Sequence, residues 1–405
     1  MPNPIQRTTR KPRLLFVIRL LAGRRGGAER VFVTLSNVLA ERGYAVTAAY
    51  CDGKSDPPGY SLTADVQLVN LWNQRQRDNP FYRLARKWGG RWLPFGLSNV
   101  LAWMGRYLPF VRDLRKLIGR LEPALVISFL PSANTVTLVA CLGQKTKVLC
   151  TNHNLPASDY ASAKRWDPNP FDRFLRKALL YRANRVSVLF SSYKSFFGSN
   201  LAPKMLAIPN FLEPQFFERT LDGPRRKRII ASGRLSWEKN FETLIEAFAG
   251  LGEVAKEYEL WIFGEGTERG SLEALIGKLG VADRIFLPGH EADMRTQLRE
   301  GFALCHPAHF EGFALSVAEA LAQGLPVVAF RDCSGVNEYV VDEENGLLVD
   351  RALGAKGFAS ALERLISDPT LWNHLSENAP RSVEQFREQN VLPLWERVID
   401  ELTCS

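Results

Sequence analysis

The chain has 405 residues, of which 46% are hydrophobic and 23% charged, a balance typical of a globular protein with two domains of ordinary size. No apolar run reaches the ~18–20 residues that a membrane span needs, and the first one, LLFVIRLLAG, is short and interrupted by Arg19, so we expect a cytoplasmic chain without a signal peptide. Residues 1–210 hold 32 Lys and Arg against 11 Asp and Glu, whereas residues 211–405 hold 20 against 32, which predicts a first half that faces an anionic partner.

The first half of the chain predicts a parallel α/β domain. Its opening strand is followed by the glycine-containing loop LAGRRGGAER, a helix that ends at Gly43 and a second strand, which is the order of a strand–helix–strand unit. Two later apolar segments end in polar residues, and open α/β sheets bind ligands at such strand ends. The predicted strands of this half are 13–20, 45–52, 124–130 and 147–154.

The second half repeats this architecture. Apolar segments with strand character alternate with helical patterns, and residues 391–402 form a last amphipathic helix. The segment 209–227 contains three prolines and separates the two halves. The predicted strands of this half are 228–234, 258–266, 284–289, 301–308 and 325–330.

The order of elements therefore predicts two Rossmann-like α/β domains whose parallel sheets face each other across a cleft, where substrates would bind. We place the N-terminal domain at 1–212, a linker at 213–227 and the C-terminal domain at 228–388. Residues 389–405 form a C-terminal helix that is expected to pack back on the N-terminal domain.

The stretch 306–330 places two carboxylates at a strand-to-helix transition. Glu311 precedes the helix ALSVAEALAQ, and Glu319 lies inside it, at an angular offset of ~80° for 3.6 residues per turn. Gly312 permits close approach of the backbone to a ligand, and the amide groups at the helix start favour an anion, so both carboxylates can reach one ligand. The alternative is that Glu311 only favours the helix dipole and that Glu319 is a solvated helix residue.

Arg234 and Lys239 lie at a second transition of this kind, in SGRLSWEKNFETLIEAFA. Cations at a helix N-terminus are unfavourable unless an anion is bound there, although solvent-facing basic residues would explain either one alone. Two such transitions in one domain indicate a diphosphate that is bound from both sides. The short GEG at 264–266 indicates little by itself.

Together these segments resemble the retaining glycosyltransferases of family 4, of the bacterial surface-polysaccharide or lipid-linked glycan type, which have the GT-B fold. The signature is the E-x7-E pair formed by Glu311 and Glu319, with Glu311 77 residues after Arg234. Three further segments are similar to the family: GGAERVFVTLSNVLAERGYAVT near the start, the Asn of IPNF at 208–211, and SGVNEYVVDEENGLLVD at 334–350. The resemblance covers nearly the whole chain and is weakest over residues 54–120.

The resemblance implies that the C-terminal domain binds a nucleotide-diphosphate sugar, most often a UDP-linked hexose or N-acetylhexosamine, and that the N-terminal domain binds the acceptor. Arg234 and Lys239 would hold the donor diphosphate. Glu319 would bind the ribose hydroxyls, and Glu311 would contact the transferred sugar. The backbone amides expected nearby are those of Gly312, Phe313 and Ala314.

In the N-terminal domain, the resemblance implies that Gly27, with Gly26, lets the first loop approach the donor phosphate. It also implies a contact between the sugar and His153, which follows a predicted strand. The alternative for His153 is a structural histidine bonded to the backbone. The other histidines are expected to be structural: His290, His306, His309 and His374.

The chain departs from the family at three positions. The family often has serine at position 308 and glycine at positions 240 and 314, where this chain has Ala308, Asn240 and Ala314. None of these departures removes a charged group. We therefore expect an active protein whose phosphate loops are slightly reshaped.

The resemblance also implies a mechanism. Negative charge builds on the leaving phosphate as the anomeric bond breaks, and Arg234, Lys239 and the helix amides would stabilise that charge. No DxD motif is present, and the six cysteines show no CxxC pair and no metal-ligand spacing, so we expect neither a metal nor another cofactor. Retention without a protein nucleophile implies front-face attack, in which the leaving phosphate helps to deprotonate the acceptor. Two-carboxylate glycosidase chemistry fits less well, because Glu319 would be committed to the nucleotide.

The prediction of the acceptor depends on a basic aromatic region. Residues 79–120 hold nine Lys or Arg, one acidic residue and eight aromatic residues, and residues 164–182 have a similar composition. Such residues suit the headgroup region of an anionic membrane surface. We therefore predict a peripheral protein at the inner face of the cytoplasmic membrane, with a lipid-linked, lipopolysaccharide or exopolysaccharide acceptor. The alternative is an ordinary helix pair with buried aromatic residues and solvated arginines.

Other functions fit parts of the sequence. A basic first half with aromatic residues would suit a nucleic-acid binder, but no nucleic-acid motif is present, so we expect no nucleic-acid partner. A transferase with a soluble acceptor and a sugar-nucleotide epimerase of the same fold stay open as alternatives. A non-catalytic partner subunit fits less well, because Glu311, Glu319, Arg234 and Lys239 are all present.

Overall fold

The computed structural model describes residues 11–72, 95–162, 169–219 and 224–404. Contacts between Cα atoms divide the chain into two compact units. The first unit runs to Ile208 and takes in the chain again from Leu394, and the second comprises Pro209–Pro393. The domain boundary that the sequence suggests, at residue 212, lies close to this division.

The first unit is built on a parallel sheet of seven strands. These are β1 (Arg13–Ile18), β2 (Ala45–Tyr50), β3 (Gln67–Asn70), β4 (Leu125–Phe129), β5 (Lys147–Thr151), β6 (Arg185–Val188) and β7 (Met205–Ala207). They lie in the order β3-β2-β1-β4-β5-β6-β7, so β1 and β4 are neighbours. Both are buried almost throughout, as expected of the central strands of a parallel sheet.

The helices of the first unit pack on this sheet or on one another. They are α1 (Gly27–Glu41), α2 (Phe95–Leu121), α3 (Leu130–Ala140), α4 (Pro156–Tyr160) and α5 (Pro170–Leu180). In α2 the buried residues recur every three or four positions, which places them on one face: Trp103, Tyr107, Phe110, Leu114 and Leu117.

The second unit is built on a parallel sheet of six strands. These are β8 (Arg228–Ser232), β9 (Glu259–Phe263), β10 (Ile285–Gly289), β11 (Ala303–His306), β12 (Val327–Phe330) and β13 (Gly346–Val349). They lie in the order β10-β9-β8-β11-β12-β13, which is the doubly wound order of a dinucleotide-binding sheet. The prediction of two α/β units with parallel sheets is confirmed.

Seven helices follow in the chain. They are α6 (Phe241–Ala249), α7 (Arg269–Leu279), α8 (Met294–Glu300), α9 (Leu315–Ala322), α10 (Gly354–Ser367), α11 (Pro369–Ser382) and α12 (Glu388–Thr403). From Leu394 onward α12 belongs to the first unit, where Glu396 pairs with Lys11 and with Arg42, each at 3.3 Å. Within the described residues, no helix combines the length and the apolar character that crossing a membrane requires.

All the predicted strands are present, each within its predicted range, but four further strands were missed. These are β3, β6, β7 and β13, which lie at or next to a sheet edge and have three or four residues each. β3 is largely exposed, and the other three are only three or four residues long, so the hydrophobic pattern did not reveal them.

The segment 213–227, which the sequence suggests as a linker, is attached to the second unit through Arg225. Its guanidinium donates hydrogen bonds of 2.7–3.3 Å to carbonyl groups at the ends of two helices. These are the carbonyls of Leu298, Arg299 and Gly301 at the end of α8, and of Gln323 and Gly324 after α9. Burial, with the nearby charge of Arg219, lowers the pKa of Arg225 to about 10, so it stays charged and suits the negative ends of both helix dipoles.

The basic aromatic region divides into buried and exposed parts. Residues 79–94 and 164–168 lie outside the described residues. Trp103, Tyr107 and Phe110 are core residues, and Arg176 is buried in an ion pair with Asp172. For these residues the membrane interpretation is wrong and the alternative of an ordinary helix pair is correct, because the aromatic spacing matches the face of α2 that packs inward.

Other side chains of the same region are exposed. On α5 and just after it, Phe174 is 65% exposed and Tyr181 48% exposed, with the basic Lys177 and Arg182 beside them. On α2 the exposed side is basic: Arg106, Arg112, Arg115, Lys116 and Arg120. These exposed residues are candidates for the predicted contact with an anionic membrane surface, which stays a prediction.

Candidate active site

The strand order of the second unit creates a topological switch point between β8 and β11. The two strands are neighbours in the sheet. The chain continues from β8 to β9, toward one edge of the sheet, and from β11 to β12, toward the other edge. Ligands of open α/β sheets bind beyond the C-terminal strand ends at such a point. Because β8 ends at Ser232 and β11 at His306, the loops that follow these two residues border the expected ligand position.

The loop after β8 is held against the loop after β9 by two glycines. A Cβ atom on Gly264 would lie 1.9 Å from the carbonyl oxygen of Gly233, and one on Gly266 would lie 2.1 Å from that of Leu235. Only glycine permits this approach, which the hydrogen bond from Leu235 N to Glu265 O, at 3.0 Å, completes. The GEG at 264–266, which indicated little in the sequence, therefore shapes the loop that carries Arg234 and Lys239.

Glu311 is the centre of a charged cluster at the switch point. The Lys239 ammonium contacts Glu311 Oε1, and the two side chains are only 18% and 16% exposed. Burial alone raises the pKa of Glu311, but the charge of Lys239 and the hydrogen bonds from His306 and Lys239 outweigh it and hold that pKa well below its usual range. Glu311 is therefore an ionised carboxylate.

His306 is the residue of this cluster that the sequence interpretation missed. It is the last residue of β11, is 2% exposed, and places Nε2 3.1 Å from the same Oε1 of Glu311. A carboxylate only accepts hydrogen bonds, so Nε2 carries the proton. Burial lowers the pKa of His306 more than Glu311 raises it, which leaves the imidazole neutral. The sequence feature that could have pointed to His306 is its position at a strand end, five residues before Glu311.

The backbone of the loop after β11 is fixed by the segment after β12. Glu311 N donates to Ser334 O at 3.0 Å, and the Tyr339 hydroxyl lies 2.7 and 2.9 Å from the carbonyl oxygens of Phe313 and Ala314. Gly335 has a φ of 80°, and a Cβ there would lie 2.8 Å from Gly312 O. The segment 334–350, which resembles the family, thus supports the loop that carries the predicted amides.

The two positions where the family often has glycine are both left-handed here. Asn240 has a φ of 53° and Ala314 a φ of 59°, and they directly precede α6 and α9. Asparagine tolerates this conformation, whereas alanine is strained in it. The loops therefore keep a glycine-like backbone despite the substitutions.

Glu319 lies within α9 and is 4% exposed, so the alternative of a solvated helix residue is wrong. The angular relation to Glu311 does not apply, because α9 begins at Leu315 and Glu311 lies in the loop before it. Arg234 is exposed on the loop after β8, five residues before Lys239. The structure thus brings Lys239 and Glu311 into contact and places Arg234, Glu319 and the predicted amides on the loops and helix beside them.

In the first unit, Gly26 and Gly27 lie at the start of α1, where Gly26 is the N-cap residue. Gly59 supports the preceding loop, since a Cβ on it would lie 2.1 Å from Arg24 O. His153 follows β5, is 7% exposed, and stacks on Phe129 with ring centroids 4.7 Å apart. Its Nε2 lies 2.9 Å from Thr151 Oγ1, so the Thr151 side chain is one of its partners.

Among the described residues, no group of three or more His, Cys, Asp and Glu is arranged to hold a metal ion. The chemical capacity of the cluster in the second unit is electrostatic. It combines a half-buried, ionised carboxylate with an ammonium and a neutral imidazole donor at the ligand-binding edge of the sheet.

Two family models match the chain in succession: "Glycosyltransferase Family 4" over residues 25–215 and "Glycosyl transferases group 1" over residues 213–382. A Campylobacter jejuni enzyme named an undecaprenol-diphosphate-linked glycan α-1,4-N-acetyl-D-galactosaminyltransferase is 25% identical over 96% of this chain and 99% of its own. A lipopolysaccharide core biosynthesis glycosyltransferase of Rhizobium meliloti is 36% identical over 42% of this chain and 49% of its own.

The fold is shared with a solved structure, the pneumococcal O-GlcNAc transferase GtfA in complex with UDP and GlcNAc. The match has a TM-score of 0.76 at 13% identity and covers 98% of this chain and 100% of that one. The predicted GT-B fold is confirmed. Since the two family models together span residues 25–382, the chain belongs to family 4 of the glycosyltransferases and is an enzyme of that class.

Proposed function

We propose that this enzyme transfers a hexose or N-acetylhexosamine, with retention, from a UDP-sugar to a lipid-linked, lipopolysaccharide or exopolysaccharide acceptor. The contact between Lys239 and the ionised Glu311 carries the proposal, because it joins the two strand-to-helix transitions at one ligand-binding edge. An anionic sugar nucleotide needs cations for its phosphates and hydrogen-bond acceptors for its sugar hydroxyls. Lys239 supplies a cation, and Glu311 supplies a hydrogen-bond acceptor.

The individual roles follow from this assignment. Arg234 and Lys239 bind the diphosphate, and Glu319 binds the ribose. Glu311 accepts hydrogen bonds from hydroxyl groups of the transferred sugar. The remaining roles belong to backbone amides and the first unit: Gly312, Phe313 and Ala314 beside the sugar, Gly26 and Gly27 beside the phosphate, and His153 against the sugar.

The chemical step that we propose uses no metal ion. As the anomeric C–O bond breaks, the electron pair goes to the leaving UDP, and Arg234 and Lys239 stabilise the charge that develops there. The acceptor hydroxyl attacks the same face of the sugar and gives its proton to the leaving phosphate. Transfer rates in EDTA should therefore equal those in Mg²⁺, and a loss in EDTA that Mg²⁺ restores would overturn this part.

The donor and acceptor classes are supported by the relatives. The C. jejuni enzyme is named for an undecaprenol-diphosphate-linked acceptor, and the GtfA structure contains UDP and GlcNAc. Attachment to the inner face of the cytoplasmic membrane is supported by the exposed aromatic and basic side chains of α5, such as Phe174 and Lys177. An acceptor embedded in a lipid surface would be reached most readily by a protein that binds that surface.

The test is a transfer assay with membranes and a panel of radiolabelled UDP- and GDP-sugars, for the wild type and for Glu311→Gln. The variant keeps the side-chain size but cannot ionise. Label from one donor in the organic-extractable fraction, lost in the variant, is the expected result. Label only in a water-soluble glycan would replace the lipid acceptor by a soluble one. A changed sugar nucleotide without transfer would favour an epimerase and overturn the proposal.

A further inference from the structure

Glu311 Oε1 has two donors of different character. Lys239 comes from the loop after β8, carries a charge, and has a long flexible side chain that is 18% exposed. His306 comes from the end of β11, is neutral, and is 2% exposed. Its imidazole is attached to a paired strand residue, with His306 in register with Ala329 of β12. One donor can therefore move while the other cannot.

The proposed function gives Lys239 a second partner. A diphosphate carries more charge than one carboxylate, and the ammonium of a lysine is a mobile point charge. The Lys239 side chain lies over Gly233, at the strand end where the diphosphate would bind, since a Cβ on Gly233 would lie 3.1 Å from Lys239 Cε. When the donor binds, Lys239 has to share its hydrogen bonds with the phosphates, and Glu311 loses part of its counter-charge.

We propose that His306 is the positioning residue that keeps Glu311 ionised and correctly aimed while Lys239 turns to the donor diphosphate. The inference rests on the proposed function and adds a residue to it. A neutral imidazole suits this role, because it donates to the carboxylate without competing for the phosphates. Its burial at the end of β11 fixes the direction of the N–H group.

The other charged and titratable neighbours leave this role to His306. The Cys333 thiol also faces Glu311, but burial, and then the charge of Glu311, raise its pKa, so it stays neutral. Arg351 is paired with Asp332 at 2.6 Å and lies 3.0 Å from His309 Nδ1. Ser334 binds the backbone N–H of Glu311 rather than its carboxylate.

The test compares pH profiles of UDP release from the donor that the panel identifies, for His306→Leu, His306→Gln and the wild type. Removal of a hydrogen bond to a charged group costs roughly tenfold or more in kcat at neutral pH. Without that bond the pKa of Glu311 in the donor complex rises, so we expect the acidic limb of kcat to move up by about one pH unit. The limb of kcat/KM, which reports the free enzyme, should move less, because Lys239 still holds Glu311 there.

Rescue and controls separate this role from a packing role. His306→Gln keeps an N–H donor and should recover most of kcat and of the wild-type limb. His374→Gln changes an exposed histidine of α11 and should match the wild type. Calorimetric UDP binding confirms that each variant has folded, and His306→Asn, with a shorter amide, replaces His306→Leu if the latter does not fold.

Two results would overturn the inference. A uniform loss of kcat with no movement of either limb would mean that His306 only packs. An equal shift of both limbs would mean that Lys239 never leaves Glu311. A wild type that releases UDP from no donor would instead sink the proposed function, and this inference with it.

Discussion

At the residue scale, the enzyme places one carboxylate between a mobile cation and a fixed imidazole. Glu311 stays ionised because Lys239 and His306 together outweigh the cost of its burial. In our proposal, the charge of Lys239 stabilises Glu311 before the donor binds and the diphosphate afterwards. The two hydrogen-bond donors can therefore be tested separately, Lys239 through kcat/KM and His306 through kcat.

Replacement of Lys239 by methionine should weaken donor binding and raise the pKa of Glu311 in the free enzyme. The native pKa is lowered, so the carboxylate loses its charge only at low pH, and without the ammonium it loses it at a higher pH. We expect the acidic limb of kcat/KM to move upward and the KM for the donor to rise at least tenfold. Steady-state kinetics against pH checks this, with Lys256→Met as the exposed control; an unchanged KM would remove Lys239 from the donor site.

Replacement of Ala314 by glycine should stabilise the second unit. Ala314 has a φ of 59°, where alanine is strained by about 1 kcal/mol and glycine is not. That gain corresponds to a rise of ~2–4 °C in the unfolding midpoint of a domain of this size. Asn240→Gly is the matched control and should bring no gain, because Asn240 donates to Pro307 O and accepts from Thr243. A lower midpoint for Ala314→Gly in thermal melts would contradict the strain.

At the element scale, the ends of two helices depend on a residue outside both. Arg225 donates to carbonyl groups at the ends of α8 and α9. Arg225→Met should lower the free energy of unfolding by about 3 kcal/mol, since several buried acceptors lose a charged partner. Denaturant titration measures it. Arg226→Met, which removes an ion pair with Glu300 from a 58% exposed side chain, should cost less than about 1 kcal/mol; equal effects would refute the assignment.

We expect the exposed face of helix α5 to bind anionic lipid. Phe174→Ser with Lys177→Glu removes an apolar anchor and reverses a charge, each worth about 1–2 kcal/mol at such a surface. Sedimentation with anionic vesicles should show affinity reduced more than tenfold. The matched control, Val254→Ser with Lys256→Glu, changes exposed residues of the second unit and should leave binding intact. Equal binding by both double variants would place the lipid contact elsewhere.

At the scale of the whole molecule, the chain forms two compact units, and we propose that the second one binds the donor. The proposed donor site uses loops of the second unit, so bound UDP should slow amide exchange there, over residues 233–240 and 306–316. At a hundredfold excess over Kd the linked stabilisation is about 2.7 kcal/mol. Exchange measured by mass spectrometry checks this, with Lys239→Met at the same UDP concentration as control. Protection confined to the first unit would contradict the assignment.

Much of this enzyme was predictable from the sequence because its signals are local. Continuous apolar runs marked the buried strands, and two local motifs, Arg234 with Lys239 and Glu311 with Glu319, indicated the family. Each run and each motif lies within a short stretch of chain. The edge strands β3, which is largely exposed, and β13, which is buried but has only four residues, were missed. The basic aromatic pattern of α2 was clear but ambiguous, and it was misinterpreted as a membrane-binding face. Aromatic residues have the same spacing on a core face and on a membrane face.

The sequence by itself thus determined the fold class, the two α/β halves and the charged residues of the candidate site. Only the tertiary structure decided which of those residues touch. The order of β8 and β11 brings Lys239 to Glu311 across 72 residues of chain and adds His306, which the sequence interpretation had treated as structural. The physical reason is that burial and long-range pairing, which set the charge state of Glu311, arise from strand order and not from any stretch of sequence.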